Sequence, residues 1–240
     1  MKSKSIIICL ATFLTLLVSA QEDSTEKGWN FVIAPYIYVP VISGDVMINY
    51  RTGSLSNNVG FGGLLAFEAY SPKWSVYTDV LNNNVETDIT LPLSSRVGTF
   101  KTSTTFVGFY GMRRVAKWFE VGLGARIIFN NSSIKADSTE LFPELDTEYN
   151  GTAISPLIVY RFTFFSNDKW NIRMRGDVGG FGVYSIFTYL INPSAGYRIS
   201  DLIEVNLSYR LLSFDQNDED NGDNFDLFFQ GPQFGVLFHL

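Results

Sequence analysis

The chain is 240 residues long, with 18 basic and 24 acidic side chains and a net charge of −6, a balance that excludes nucleic-acid binding through a basic face. Its composition is 46% hydrophobic, yet beyond residue 20 no apolar run reaches the ~20 residues a membrane-spanning helix requires. If the mature chain crosses a membrane, it must cross with strands.

Residues 1–20 read as a signal peptide. Lys2 and Lys4 make a positive start, Ile6 to Val18 form an apolar run, and Val18-Ser19-Ala20 is a small-residue cleavage site, so the mature protein is expected to begin near Gln21. The single cysteine, Cys9, lies inside this leader, and Ile6-Ile7-Ile8 before it is no lipobox. Residues 21–240 then form one domain without thiol or disulfide chemistry.

Turn residues divide that domain into ten strands: 29–41, 59–70, 74–87, 100–113, 118–132, 152–165, 170–183, 187–199, 202–214 and 225–240. Short turns at 71–73, 115–117, 166–169 and 200–201 alternate with mostly longer loops at 42–58, 88–99, 133–151 and 215–224, and a tight one at 184–186. Outer-membrane barrels have short turns at the periplasmic end and long loops outside the cell. Lys73-Trp74, Lys117-Trp118 and Lys169-Trp170 each follow a short connection, and Lys27-Gly28-Trp29 is a looser first copy. Indoles favour the height where a membrane meets water. Trp29, Trp74, Trp118 and Trp170 are therefore expected to form a periplasmic aromatic belt.

Apolar and polar residues alternate within the strands with a period of two. In 118–130, Phe119, Val121, Leu123, Ala125, Ile127 and Phe129 oppose Glu120, Gly122, Gly124, Arg126 and Asn130. In 202–214, Ile203, Val205, Leu207, Tyr209 and Leu211 oppose Glu204, Asn206, Ser208 and Arg210. A soluble barrel shows the same alternation. The membrane reading rests on three features. Arginine and carboxylates occupy the polar faces while lysine keeps to turns, loops and strand ends. Glycines such as Gly62, Gly111, Gly122 and Gly196 fall on the polar face, which suits a crowded lumen. The chain starts with an export signal and ends in alternating Phe234, Val236, Phe238 and Leu240. The expected fold is all-β: a closed antiparallel up-and-down transmembrane barrel of about ten strands, with eight as the alternative.

Several motifs resemble a family of small bacterial outer-membrane barrels, porin-like or OmpA-like. They are Trp29-Asn30-Phe31 with Pro35-Tyr36, Pro40 and Gly44-Asp45; Ala66-Phe67-Glu68-Ala69 before Lys73-Trp74; Gly176-Asp177-Val178-Gly179-Gly180-Phe181-Gly182; Gly196-Tyr197-Arg198; Tyr209-Arg210; and Gly231-Pro232. The resemblance spans nearly the whole mature chain and implies an outer-membrane barrel, in a family mostly of undefined function. The chain ends in Leu240, where such barrels commonly end in phenylalanine.

Glu68, Asp79, Glu120, Arg126, Arg161, Arg173, Arg175, Asp177, Arg198, Glu204 and Arg210 all fall on inward positions. They are expected to form either a salt-bridge network that fills the lumen or a selectivity constriction. Asp215–Asp223 and Asp226, with Asp137, Glu140, Glu144, Asp146 and Glu148, make an acidic extracellular rim. Asp218, Asp220 and Asp223 could hold a divalent cation there, although the EF-hand spacing fails at Phe228. The only histidine, His239, is the penultimate residue, so no catalytic histidine is available in the outer half and no enzyme is expected.

The resulting expectation is a monomer in the outer membrane of a Gram-negative bacterium, without cofactor. Its partners would be outer-membrane lipid, lipopolysaccharide and, through the C-terminal strand, the outer-membrane assembly machinery. A small porin-like channel for ions or small solutes is the first functional reading. A structural or surface-binding barrel with a closed lumen and functional acidic loops is the alternative.

Overall fold

The structure, a computed structural model, describes residues 28–48, 51–90, 97–141, 143–182, 187–218 and 223–240. The expected signal peptide lies outside the described residues. The strands are β1 (Asn30–Tyr38), β2 (Val41–Ile48), β3 (Arg51–Val59), β4 (Phe61–Tyr70), β5 (Trp74–Thr90), β6 (Val97–Ala116), β7 (Phe119–Ala136), β8 (Leu145–Ser166), β9 (Trp170–Gly179), β10 (Phe187–Arg198), β11 (Ile203–Asp218) and β12 (Asp223–His239).

Among the described residues, β1 and β4 to β12 make a ring of ten antiparallel strands. It is closed where β1 meets β12, with Val32 opposite His239 and Tyr38 opposite Gln233. Closure leaves no strand edge within lipid, where an unpaired backbone group has no water to bond. The ten-strand expectation holds, and the eight-strand alternative does not.

The predicted loops shrink. The predicted loop 42–58 holds the hairpin strands β2 and β3, of which β2 continues the line of β1 and pairs with β12 from Val41–Gln230 to Met47–Asn224. Pro40 and Gly60 interrupt the lines. Backbone bonds from Val39 N to Pro232 O and from Gly60 N to Pro40 O bridge the breaks. Gly44, at φ +135° where the β2–β3 register shifts, supplies a bulge that a side chain would oppose. The hairpin's polar composition reads as loop, but its inner row of Ile42, Val46 and Leu55 is buried. The loops at 88–99, 133–151 and 215–224 shorten for the same reason, as strands run on to Thr90, Ala136 and Asp218 and resume at Val97, Leu145 and Asp223.

These strands are far longer than a membrane needs. β8 has 22 residues and β6 has 20, against the roughly 9–11 that cross a bilayer. The excess forms a tower at the end opposite the short turns, while β9, with 10 residues, spans little more than the membrane.

The hydrophobic pattern changes phase where the tower begins. Within the membrane, Val76 and Val80 of β5 and Val121, Leu123 and Ile127 of β7 point outward, while Asp79, Glu120 and Arg126 are buried inside. Above it, Val85, Ile89, Ile134 and Ala136 are buried inside, and Asn84, Glu86, Asn131 and Lys135 face out. The switch falls at adjacent apolar pairs that share one register. Val80, Val107, Ile127 and Ile154 are successive partners on the outside; Leu81, Phe106, Ile128 and Ala153 are successive partners on the inside. Lipid demands apolar residues outside and water demands them inside, so this row marks the outer water line. The expectation of an inner face that is polar throughout is therefore corrected for the upper half. Gly111 is corrected too: its position on β6 faces outward, and a Cβ there would meet open space.

A closed ring predicts heat-modifiable behaviour. Unboiled folded protein should migrate at a different apparent mass from boiled protein on an SDS gel. Identical migration would contradict closure.

Candidate functional site

The inward charges gather in layers, each built from neighbouring strands. In the upper layer, Arg126 Nη2 donates to both oxygens of Asp177 at 2.7 Å, and Nη1 donates to Thr188 Oγ1 at 2.8 Å. Arg126 and Asp177 are 2% and 1% exposed, so each charge is fully removed from water. A guanidinium suits this place because its rigid fork matches a carboxylate with two bonds.

The middle layer centres on Asp79. It accepts the Tyr36 hydroxyl at 2.5 Å, Arg210 Nη2 at 2.6 Å and Arg175 Nη2 at 3.4 Å. Tyrosine rings cover the two cations. Arg175 lies 4.1 Å from the Tyr77 ring centre and 5.1 Å from that of Tyr110, while Arg210 lies over Tyr36 and Tyr38. The ring faces add attraction that strengthens when water is absent.

The lower layer joins Glu68, Arg161 and Glu120. Arg161 bonds both carboxylates, and Glu120 also takes Arg114 at 2.8 Å and Ser75 at 3.0 Å. Arg173 donates to Asn171 at 2.6 Å and reaches Glu68 only at 4.0 Å. At the rim that carries the short turns, Glu204 meets His239 at 3.1 Å and Arg198 at 4.0 Å.

The structure thus brings the predicted lumen residues into four groups: Arg126 with Asp177; Asp79 with Arg175 and Arg210; Glu68, Arg161 and Glu120 with Arg173 beside them; and Glu204 with Arg198. The sequence reading missed Tyr36, Tyr38, Tyr77, Tyr110, Arg114 and His239 as members. For Tyr77 and Tyr110 the signal was present, since both share the alternation phase of their strand's polar residues.

Above the charges, the lumen is packed with apolar side chains, including Leu81, Phe100, Phe106, Ile128, Phe225 and Phe229. One polar cluster interrupts them: Asn130 Oδ1 accepts bonds from Thr102, Thr104 and Ser132. Higher still, Asp215 and Asp226 are register partners, and burial together with the facing carboxylate holds the Asp215 carboxyl above the ordinary range. Asp218 and Asp223 are backbone partners at the tip of that hairpin, and Asp220 lies outside the described residues. Among the described residues no metal-ligand cluster occurs.

Trp74, Trp118 and Trp170 are exposed at the end that carries the short turns. Ser71 N and Asn167 N donate to the Trp74 and Trp170 carbonyls, which ties two of the indoles to the turns. Trp118 stacks on Phe162 and leans against Phe119, and Trp170 packs against Tyr197. Trp29, just ahead of β1, is partly buried. Between these rings and the phase switch, the outer wall exposes Phe31, Ile37, Leu64, Leu123, Ile158 and Leu207.

A closed ring with an apolar outer belt and a charged interior defines an outer-membrane β-barrel. Similar solved structures include the translocator domain of the autotransporter NalP from Neisseria meningitidis, with TM-score 0.44 and 11% identity over 98% of this chain and 96% of that one. Neisserial surface protein A matches with TM-score 0.41 and 11% identity over 88% and 99%. The outer membrane protease OmpT from Escherichia coli matches with TM-score 0.45 and 10% identity over 88% and 97%. No protein-family model and no curated protein matches the chain.

Proposed function

We propose that the protein is a closed, non-enzymatic outer-membrane barrel that works through its extracellular tower. The filling of the lumen supports this reading: a cross-linked layer of arginines, carboxylates and tyrosines is capped by a largely apolar core. Side chains fill an eight-stranded barrel, and sixteen strands leave a water channel. Ten strands leave only a little more room than eight, and here bulky rings and guanidinium groups occupy it. His239 is engaged by Glu204 at the rim opposite the tower, which supports a role without histidine catalysis.

The tower's outer wall offers the working surface. Asn84, Ser103, Asn131 and Asn150 are successive register partners across β5 to β8. With Glu86 and Glu148 they border a groove of about 520 Å³. Amides and hydroxyls at this height, directly above the lipid belt, suit the sugar portion of lipopolysaccharide or an external polar partner. Below, the outward Phe234 and Phe238 of β12 give the assembly machinery an apolar C-terminal strand to read.

Planar-bilayer recording tests the closed lumen. Folded protein is expected to insert without discrete conductance steps. Regular steps would overturn the reading in favour of a narrow channel for ions or small solutes.

A further inference from the structure

Near the water line β8 loses a neighbour. β9 ends at Gly179, opposite Leu157, and a backbone bond from Gly180 N to Pro156 O carries the contact one residue further. β8 continues upward through residues 145–155, paired on its other side with β7 from Arg126–Ser155 to Ala136–Leu145. Successive residues of a strand send their N–H and C=O groups to opposite edges. Pro156 O faces β9, so Asp146, Glu148, Asn150, Thr152 and Ile154 turn theirs to the same side, where no strand lies among the described residues.

Proteins usually blunt a free edge with proline, lysine, a bulge or a cover. Residues 145–155 contain neither proline nor lysine, and the β7–β8 register runs without a bulge. Thr147, Tyr149, Thr152 and Ile154 favour extended backbone. The edge is therefore a regular template, longer than the roughly 5–6 residues of an ordinary strand.

Its side chains select the occupant. Tyr149 and Ala153 are buried on the inner face, whereas Asp146, Glu148, Asn150 and Thr152 are exposed on the outer one. Lys135 engages Asp146 at 3.0 Å, while Glu148 makes no ion pair among the described residues. An added strand thus suits apolar residues inward and basic residues outward, since opposite charges on facing strands attract. A second copy of this chain would bring two acidic edges together, which opposes pairing.

We propose that the β8 edge takes up an extended segment of a partner protein, with alternating basic and apolar residues, as an added strand of the tower. The inference rests on the tower as the working part of the protein and is independent of the closed lumen.

A fluorescent, end-capped peptide of about twelve alternating lysine and valine residues, long enough to run along the edge, is titrated into the detergent-folded barrel and followed by anisotropy. Saturable binding is expected, with slower hydrogen exchange at the Glu148, Asn150 and Thr152 amides. A peptide of alternating glutamate and valine should not bind. Asn150→Pro removes a donor that faces the gap and spares the bonds to β7, so it should weaken binding by about tenfold or more. Glu148→Gln should weaken it by a few-fold, and Asp226→Asn on the β12 wall should leave it unchanged. Heat-modifiable migration verifies that each variant is folded. Absence of binding, binding without slowed exchange at those amides, or undiminished binding by folded Asn150→Pro overturns the proposal. So does a dimer of the barrel that protects the same amides without peptide. Protease cleavage of the tower on intact cells separately tests that it faces outward, because the purified barrel reports on the edge whatever its orientation in a membrane.

Discussion

Asp79→Asn should destabilise the barrel by about 3–5 kcal/mol, the range for removing one member of a buried ion cluster. The asparagine keeps the shape and can still accept the Tyr36 hydroxyl. It cannot neutralise Arg175 and Arg210, which stay 8% and 1% exposed with no other carboxylate partner among the described residues. The loss comes from two stranded cations, not from a lost packing contact. Urea unfolding of the lipid-refolded protein measures it directly. A useful control is Lys101→Gln, which breaks an exposed pair with Glu86 and should cost at most about 1 kcal/mol. A loss below about 1 kcal/mol for Asp79→Asn would mean that water reaches the layer and screens the charges.

Arg126→Met should be as damaging, again by about 3–5 kcal/mol, because Asp177 is left charged and buried. The companion double variant, Arg126→Met with Asp177→Leu, should recover most of that loss. Replacing both members of a buried pair with apolar groups of similar volume removes the desolvation cost along with the attraction. The single variants and the double variant therefore form a cycle whose coupling energy isolates the pair. Recovery is the informative outcome. If the double variant remains as unstable as Arg126→Met alone, the two residues act through packing around Thr188 and Tyr110, and electrostatic pairing is not the main term.

Much of the ring was legible because its strands obey one simple alternation between short turns. Glu120 and Arg126 on one strand, or Glu204 and Arg210 on another, declare the inner face without any knowledge of their partners. The partners themselves were not legible. Asp79 meets Arg210 across 131 positions of sequence, and only barrel closure and shear bring them to one level. The tower was the larger miss. Its strands carry Asn84, Glu86, Asn131 and Ser133 on the outside, so their composition resembles that of a solvated loop. The decisive signal was the doublets Val80-Leu81, Phe106-Val107 and Ile127-Ile128. Each breaks the alternation by one residue, and each sits where the surrounding solvent changes from hydrocarbon to water. A doublet that looks like an irregularity in one strand becomes a boundary once neighbouring strands repeat it.

The seam between β1 and β12 has a consequence for how the wall is made. Every other pairing in the ring joins strands that follow one another, with the β2–β3 hairpin the only insertion. The wall can therefore grow by adding local hairpins, each with a short loop and a small entropic cost. The join of Val32 to His239 is different, since it brings together the first and last strands. The cost of organising the whole chain is concentrated in that single late event. Pro40 and Pro232, which have no N–H to donate, stand just beyond the end of this join, where its register stops at Tyr38–Gln233. Within the ring, the pairing that closes the cylinder is also the one with the fewest register partners, and β2 extends it along β12.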